Sequence, residues 1–132
     1  MQMLKVVCEG VDVAEIYSPP RVTKAVELLS QLNICPALAI DLTTEDEMGQ
    51  PWDFSRQHMK DKARSKLRRQ KPDLLVGSPM CTMYSPWQRL NKVRSMQTYK
   101  KRLKEARRHS EFVRELYEDQ LRRGKLFLHE HP

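Results

Sequence analysis

The chain has no apolar run approaching the ~20 residues that span a bilayer, which excludes an ordinary transmembrane helix. Its opening, MQMLKVVCEG, holds too short an apolar stretch for a secretory signal, and acids follow at once. Cysteine is scarce. Cys8, Cys35 and Cys81 are odd in number and irregular in spacing, and no Cys-x-x-Cys occurs. That pattern speaks against a disulfide framework and for free thiols in a reducing, intracellular compartment. Internal repeats and low-complexity tracts are also missing. What is present is 132 residues, 39% of them hydrophobic. Leucine, valine, isoleucine and aromatics recur at regular spacings, so disorder is not expected. This is material for one small core, hence a single domain over residues 1–132.

The formal net charge of +7 is an average over unlike regions. Residues 1–55 carry a net of −6, residues 56–108 a net of +14, and residues 109–132 a net of −1. Charge runs are usually the solvated faces of helices. The alternative is that so large a positive block seeks a polyanion, with nucleic acid the natural partner and no membrane implied.

Along the chain, strands and helices alternate. Val13–Ser18 alternates and is rich in β-formers. Ser18 followed by Pro19-Pro20 reads as a helix start with Ser18 as cap. Val22, Ala25, Val26, Leu29 and Leu32 then give one apolar face, which Asn33 and Pro36 stop. Ala37–Leu42 reads as a buried parallel strand. Residues 43–53 form an acidic loop. A basic helix over 56–70 places Met59, Ala63 and Leu67 four apart, and Pro72 ends it. Asp73–Gly77 is the clearest strand, and Ser78–Pro86 is a loop. A long helix over 98–123 has Leu103, Ala106, Ser110, Val113, Leu116 or Tyr117, and Leu121 as its core face, with Gly124 as its stop. Lys125–His131 is a fourth strand. The expected fold is α/β, a short parallel sheet of about four strands with helices on both faces.

In such sheets, functional residues collect past the carboxyl ends of the strands. Those ends here are Ser18-Pro19-Pro20, Asp41-Leu42-Thr43, Ser78-Pro79-Met80-Cys81 and Glu130-His131-Pro132. Cys81 sits in a proline-flanked loop where basic surroundings could favour its thiolate as a nucleophile; the plainer reading is a small buried thiol. His129 and His131 share one side of a strand. With Cys81 they still fall short of the four ligands of a closed zinc site, so no metal is expected. Trp52 and Trp87 are candidates to stack on bases, although a tryptophan beside proline more often packs on its loop.

Gly77–Ser85, GSPMCTMYS, resembles the catalytic Pro-Cys motif of cytosine-C5 methyltransferases. Gly77, Pro79, Cys81, Tyr84 and Ser85 match in order, and Met80 stands where that family has proline. LFLHEHP resembles the family's next catalytic strand through Glu130. EIYSPPRV sits where the first cofactor motif is found, Asp41 where an acid meets the ribose hydroxyls, and Asp53 where an acid faces the adenine. The resemblance implies an incomplete Rossmann-like fold and S-adenosylmethionine as cofactor. It makes Glu15, Tyr17, Asp41, Asp53, Ser78 and Pro79 the cofactor contacts. Cys81 would add to C6 of a flipped cytosine and Glu130 would hold its N3 edge. Lys92, Arg94, Lys100, Lys101, Arg102 and Lys104 would meet phosphates. Nearly the whole chain is also similar to open reading frames of retrotransposon-like elements that share YSPPR, PWDF, GSPMCT and FLHEHP.

The departures are physical. Pro19 and Pro20 replace a glycine-rich turn, adding two rings and removing two N–H donors where a cofactor would approach. The later motifs of those enzymes do not follow Pro132, so the chain is expected to be part of a longer protein. The expected function is a methyltransferase-like nucleic-acid-interacting domain, incomplete or inactive as it stands. The alternatives are a non-catalytic nucleic-acid-binding module and a structural segment of a polyprotein.

Overall fold

The computed structural model describes residues 10–131, without the Ser30 side chain. Cys8 and the leading segment read against a secretory signal lie outside the described residues. Among the described residues four strands, β1 (Val11–Ile16), β2 (Ile34–Ile40), β3 (Leu74–Gly77) and β4 (Leu126–His129), form one all-parallel sheet in the order β2-β1-β3-β4. The helices are α1 (Val22–Glu27), α2 (Gln57–Gln70), α3 (Gln88–Arg94) and α4 (Met96–Arg122). This is the expected α/β architecture, an incomplete Rossmann-like sheet. Among the described residues no helix is long and apolar enough to cross a membrane.

The two faces of the sheet follow from the strands' period of two. Ala14, Ile16 and Leu75 face α2 and α4, where Met59, Ala63, Leu67, Phe112, Val113 and Leu116 complete the main core. Val13 and Val76 face the other way and meet Val26 of α1, with Val22 and Leu74 alongside. Met59, Ala63 and Leu67 are buried at the expected spacing. Of the expected α4 core face, Val113, Leu116 and Tyr117 are buried and Leu103, Ala106 and Ser110 partly so. Phe112 and Gln120 are buried as well, whereas Leu121 is 56% exposed. α4 stops at Arg122. Gly124 then turns the chain at φ 70°, the left-handed stop expected of it.

Four further points differ from expectation. Ser18 does not cap α1. Arg21 occupies the cap position without a side-chain bond, and Glu15 supplies the acceptor for the Val22 and Thr23 amides instead. That helix also ends at Glu27, short of Leu29 and Leu32, which are exposed as Ala25 is, and only Val26 of the anticipated stripe is buried. Pro36 lies inside β2. It is tolerated because β2 is an edge strand whose register slips between Val13 and Glu15 of its neighbour. Finally, α3 lies between the loop expected to end at Pro86 and the helix expected from 98, a stretch to which the sequence pattern assigns nothing. Ser95 separates it from α4, its hydroxyl accepting the Thr98 amide at 3.4 Å.

Candidate functional site

The carboxyl ends of β1 and β3 lie side by side where strand order reverses, the usual ligand crevice of such sheets. A cavity of about 520 Å³ opens there. Tyr17 comes from the end of β1. Leu42, Trp52 and Asp53 come from the loop after β2, Met80 and Met83 from the loop after β3. Arg102, Glu105, Ala106 and His109 present one face of α4, spaced three and four apart.

Tyr17 is the strained point. It takes φ 58°, a left-handed conformation that a bulky residue rarely adopts, costing about 1–2 kcal/mol. The turn carries the phenol under α4, where its OH lies 2.7 Å from His109 Nδ1 and its ring meets Phe54 and Phe112. Burial pushes the Tyr17 phenol far above its ordinary range. Burial also pulls His109 below 6.5; Glu105 and Asp53 oppose that and Lys60 adds to it. At neutral pH the pair is therefore an uncharged phenol against an uncharged imidazole. Asp53 stays ionised, held below the ordinary carboxylate range by the Ser55 hydroxyl and amide.

A second cluster joins three motifs. Arg21 Nη2 and Ser78 Oγ both donate to Glu130 Oε2 at 2.9 Å, and Arg21 Nε donates to Ser18 Oγ at 3.2 Å. Ser18 Oγ in turn donates to Glu15 Oε1 at 3.1 Å. Burial alone would raise Glu15, but donors from Thr23, Val22 and Ser18 outweigh it and hold the carboxylate down. YSPPR, GSP and HEH are thus tied together by hydrogen bonds across the ends of β1, β3 and β4.

The structure separates the sequence candidates. Tyr17, Asp53 and Arg102 line the cavity. Glu15 serves the α1 amides, and Asp41 accepts from the amide and hydroxyl of Thr43. Pro79 is buried, and Ser78 and Glu130 belong to the second cluster. Cys81 is half-buried and in no disulfide; its neighbours Met80 and Thr82 line the cavity, and it does not. Gly77 has a local reason to be glycine: a Cβ there would sit 2.0 Å from the Tyr117 hydroxyl, which lies 2.8 Å from His129 Nδ1. The two tryptophans part company. Trp52 is 3% exposed and packs on Phe54, whereas Trp87 is 77% exposed. Sequence reasoning missed Glu105 and His109. Their signal was the Arg102, Glu105, Ala106, His109 spacing, hidden inside a run of cations.

Those cations fall into two sets. Lys62 pairs with Asp46 and Glu47, Lys66 with Glu47, Arg64 with Glu115, and Arg68 with Asp119. The nine cations from Arg89 to Arg108, which include Lys92, Arg94, Lys100, Lys101 and Lys104, make no ion pair among the described residues. No group of three or more His, Cys, Asp or Glu side chains there is placed to hold a metal ion.

Comparison with protein-family models, curated proteins and solved structures found no match.

Proposed function

We propose that this is a methyltransferase-like, nucleic-acid-interacting domain whose cavity binds S-adenosylmethionine. One observation carries the reading: a cavity of about 520 Å³ at the strand-order reversal shares Arg102 with a surface of unpaired cations. The volume suits a nucleoside-sized ligand. Trp52 and Leu42 supply apolar wall for a flat heterocycle, and the ionised Asp53 supplies an acceptor for hydroxyl or amine hydrogens. When bound, the cofactor supplies an electrophilic methyl group. The chain's own residues orient it, exclude water from its ring face, and hold a polyanion beside it.

A second reading, a binding module without catalysis, is favoured by the engagement of Glu130 with Arg21 and Ser78. A carboxylate so held must exchange partners before it can grip a base edge. Calorimetric titration with S-adenosylmethionine tests the first reading: micromolar binding abolished by Asp53→Ala supports it, and no heat of binding sinks it. Covalent trapping on a 5-fluorocytosine oligonucleotide, lost in Cys81→Ser, separates catalysis from mere binding.

A further inference from the structure

The segment 86–102 carries features that a cofactor cavity does not explain. Trp87 at the cap of α3 and Leu90 and Val93 within it recur every third residue, and all three are largely exposed. Trp87 makes no ring contact among the described residues. Between α3 and α4 runs a groove of about 120 Å³ whose walls include Asn91, Arg94, Tyr99 and Arg102. The groove and the cavity share Met83, Gln88 and Arg102, so one leads into the other. Lys100, Lys101 and Lys104 stand exposed on the adjoining turns of α4.

We propose that the α3–α4 surface binds single-stranded nucleic acid, with Arg94 and Arg102 of the groove holding phosphates and the exposed Trp87, which stands outside the groove wall just before α3, stacking on a base. An exposed indole beside unpaired cations is the combination that binds single strands, because every base has a face to stack and every nucleotide a charge to meet. Duplex bases offer no free face to Trp87. An anionic membrane would meet the cations equally, but one helix of seven residues offers it little apolar area. This inference rests on the nucleic-acid part of the reading above and not on its cofactor.

The two tryptophans make the test direct. Emission of the full chain is followed while a short oligothymidylate or oligouridylate is added without S-adenosylmethionine. The solvent-exposed component, missing in Trp87→Phe, should be quenched, and the buried Trp52 component should not. Heparin should bind without quenching. Trp87→Ala should weaken strand binding about ten-fold while leaving the melting temperature unchanged, and Arg94→Glu with Arg102→Glu should lower the salt slope by about two. Equal affinity for a duplex of the same length, an unaltered Trp87→Ala, or tighter binding to phosphatidylserine vesicles would each overturn the proposal. Cofactor binding with no strand binding would sink this inference alone. Strand binding with no cofactor binding would sink only the cofactor reading.

Discussion

Helix α2 and the stretch from Gln88 to Arg108 are both dense in lysine and arginine, and the fold treats them in opposite ways. Four of the six cations of α2 are paired with acids. Asp46 and Glu47 of the loop after β2 take Lys62 and Lys66, while Glu115 and Asp119 of α4 take Arg64 and Arg68. Lys60 and Arg64 also lie over the Phe112 ring, 5.6 and 5.1 Å from its centre. The later stretch meets only Glu105 within its own length and sends its charge to solvent. The same residue types therefore serve packing in one place and leave a positive field in the other. Positive charge counted along a chain overstates what a partner would encounter.

The comparison can be broken most directly by reversing charge in each region. Lys100→Glu, Lys101→Glu and Arg102→Glu together should weaken oligonucleotide binding at least a hundred-fold at low salt and flatten its salt dependence. Thermal unfolding of that variant should stay within a degree or two of the parent. The matching set on α2, Lys62→Glu, Arg64→Glu and Lys66→Glu, should do the reverse. It should lower the melting temperature by several degrees, through repulsion with Asp46, Glu47 and Glu115, and change strand affinity only a few-fold. Equal effects of the two sets on binding would mean the regions do not differ.

Acid titration sharpens the same contrast. Glu47 is pushed down to about 2 from 4.5 by its own amide, then by Lys66 and Lys62. A carboxylate with a lowered folded pKa stabilises above its unfolded value, and that contribution disappears as pH falls from 4.5 toward about 2. Glu47→Gln should narrow the drop in melting temperature across this window, and added salt should do likewise. His109 behaves as a base with a lowered folded pKa: its stabilisation is complete above 6.5 and is lost as pH falls below that value. His109→Gln should remove that part of the acid limb. The smallest effect expected is that of Tyr17→Phe, about 1–2 kcal/mol by denaturant unfolding, from one lost hydrogen bond to His109.

Much of the sheet could be read from the chain. Leu74–Gly77 is a short apolar run, and Met59, Ala63 and Leu67 repeat at four, so period and composition agreed with the final environment. Failures came where a local cue met a distant partner. Ser18 followed by two prolines looked like a helix cap, yet Glu15 reached the α1 amides first, because a buried carboxylate with four donors outcompetes a hydroxyl. Leu29 and Leu32 continued an apolar stripe on paper. The helix ended at Glu27, and no stripe survives the change of period. At the candidate site, Tyr17 and Asp53 were found from a motif. His109 was not, because the cavity draws on α4 from across the sheet.

By itself the sequence determined the class of the fold, the order of the strands along the chain and the presence of a dense positive block. Hydrophobic period and turn chemistry are local, set by residues a few positions apart. Tertiary structure alone decided which cations were answered by acids, which tryptophan was buried, and that Tyr17 and His109, 92 residues apart, would meet. Those outcomes depend on which surfaces the sheet brings within a few ångströms, where ion pairing, desolvation and stacking act.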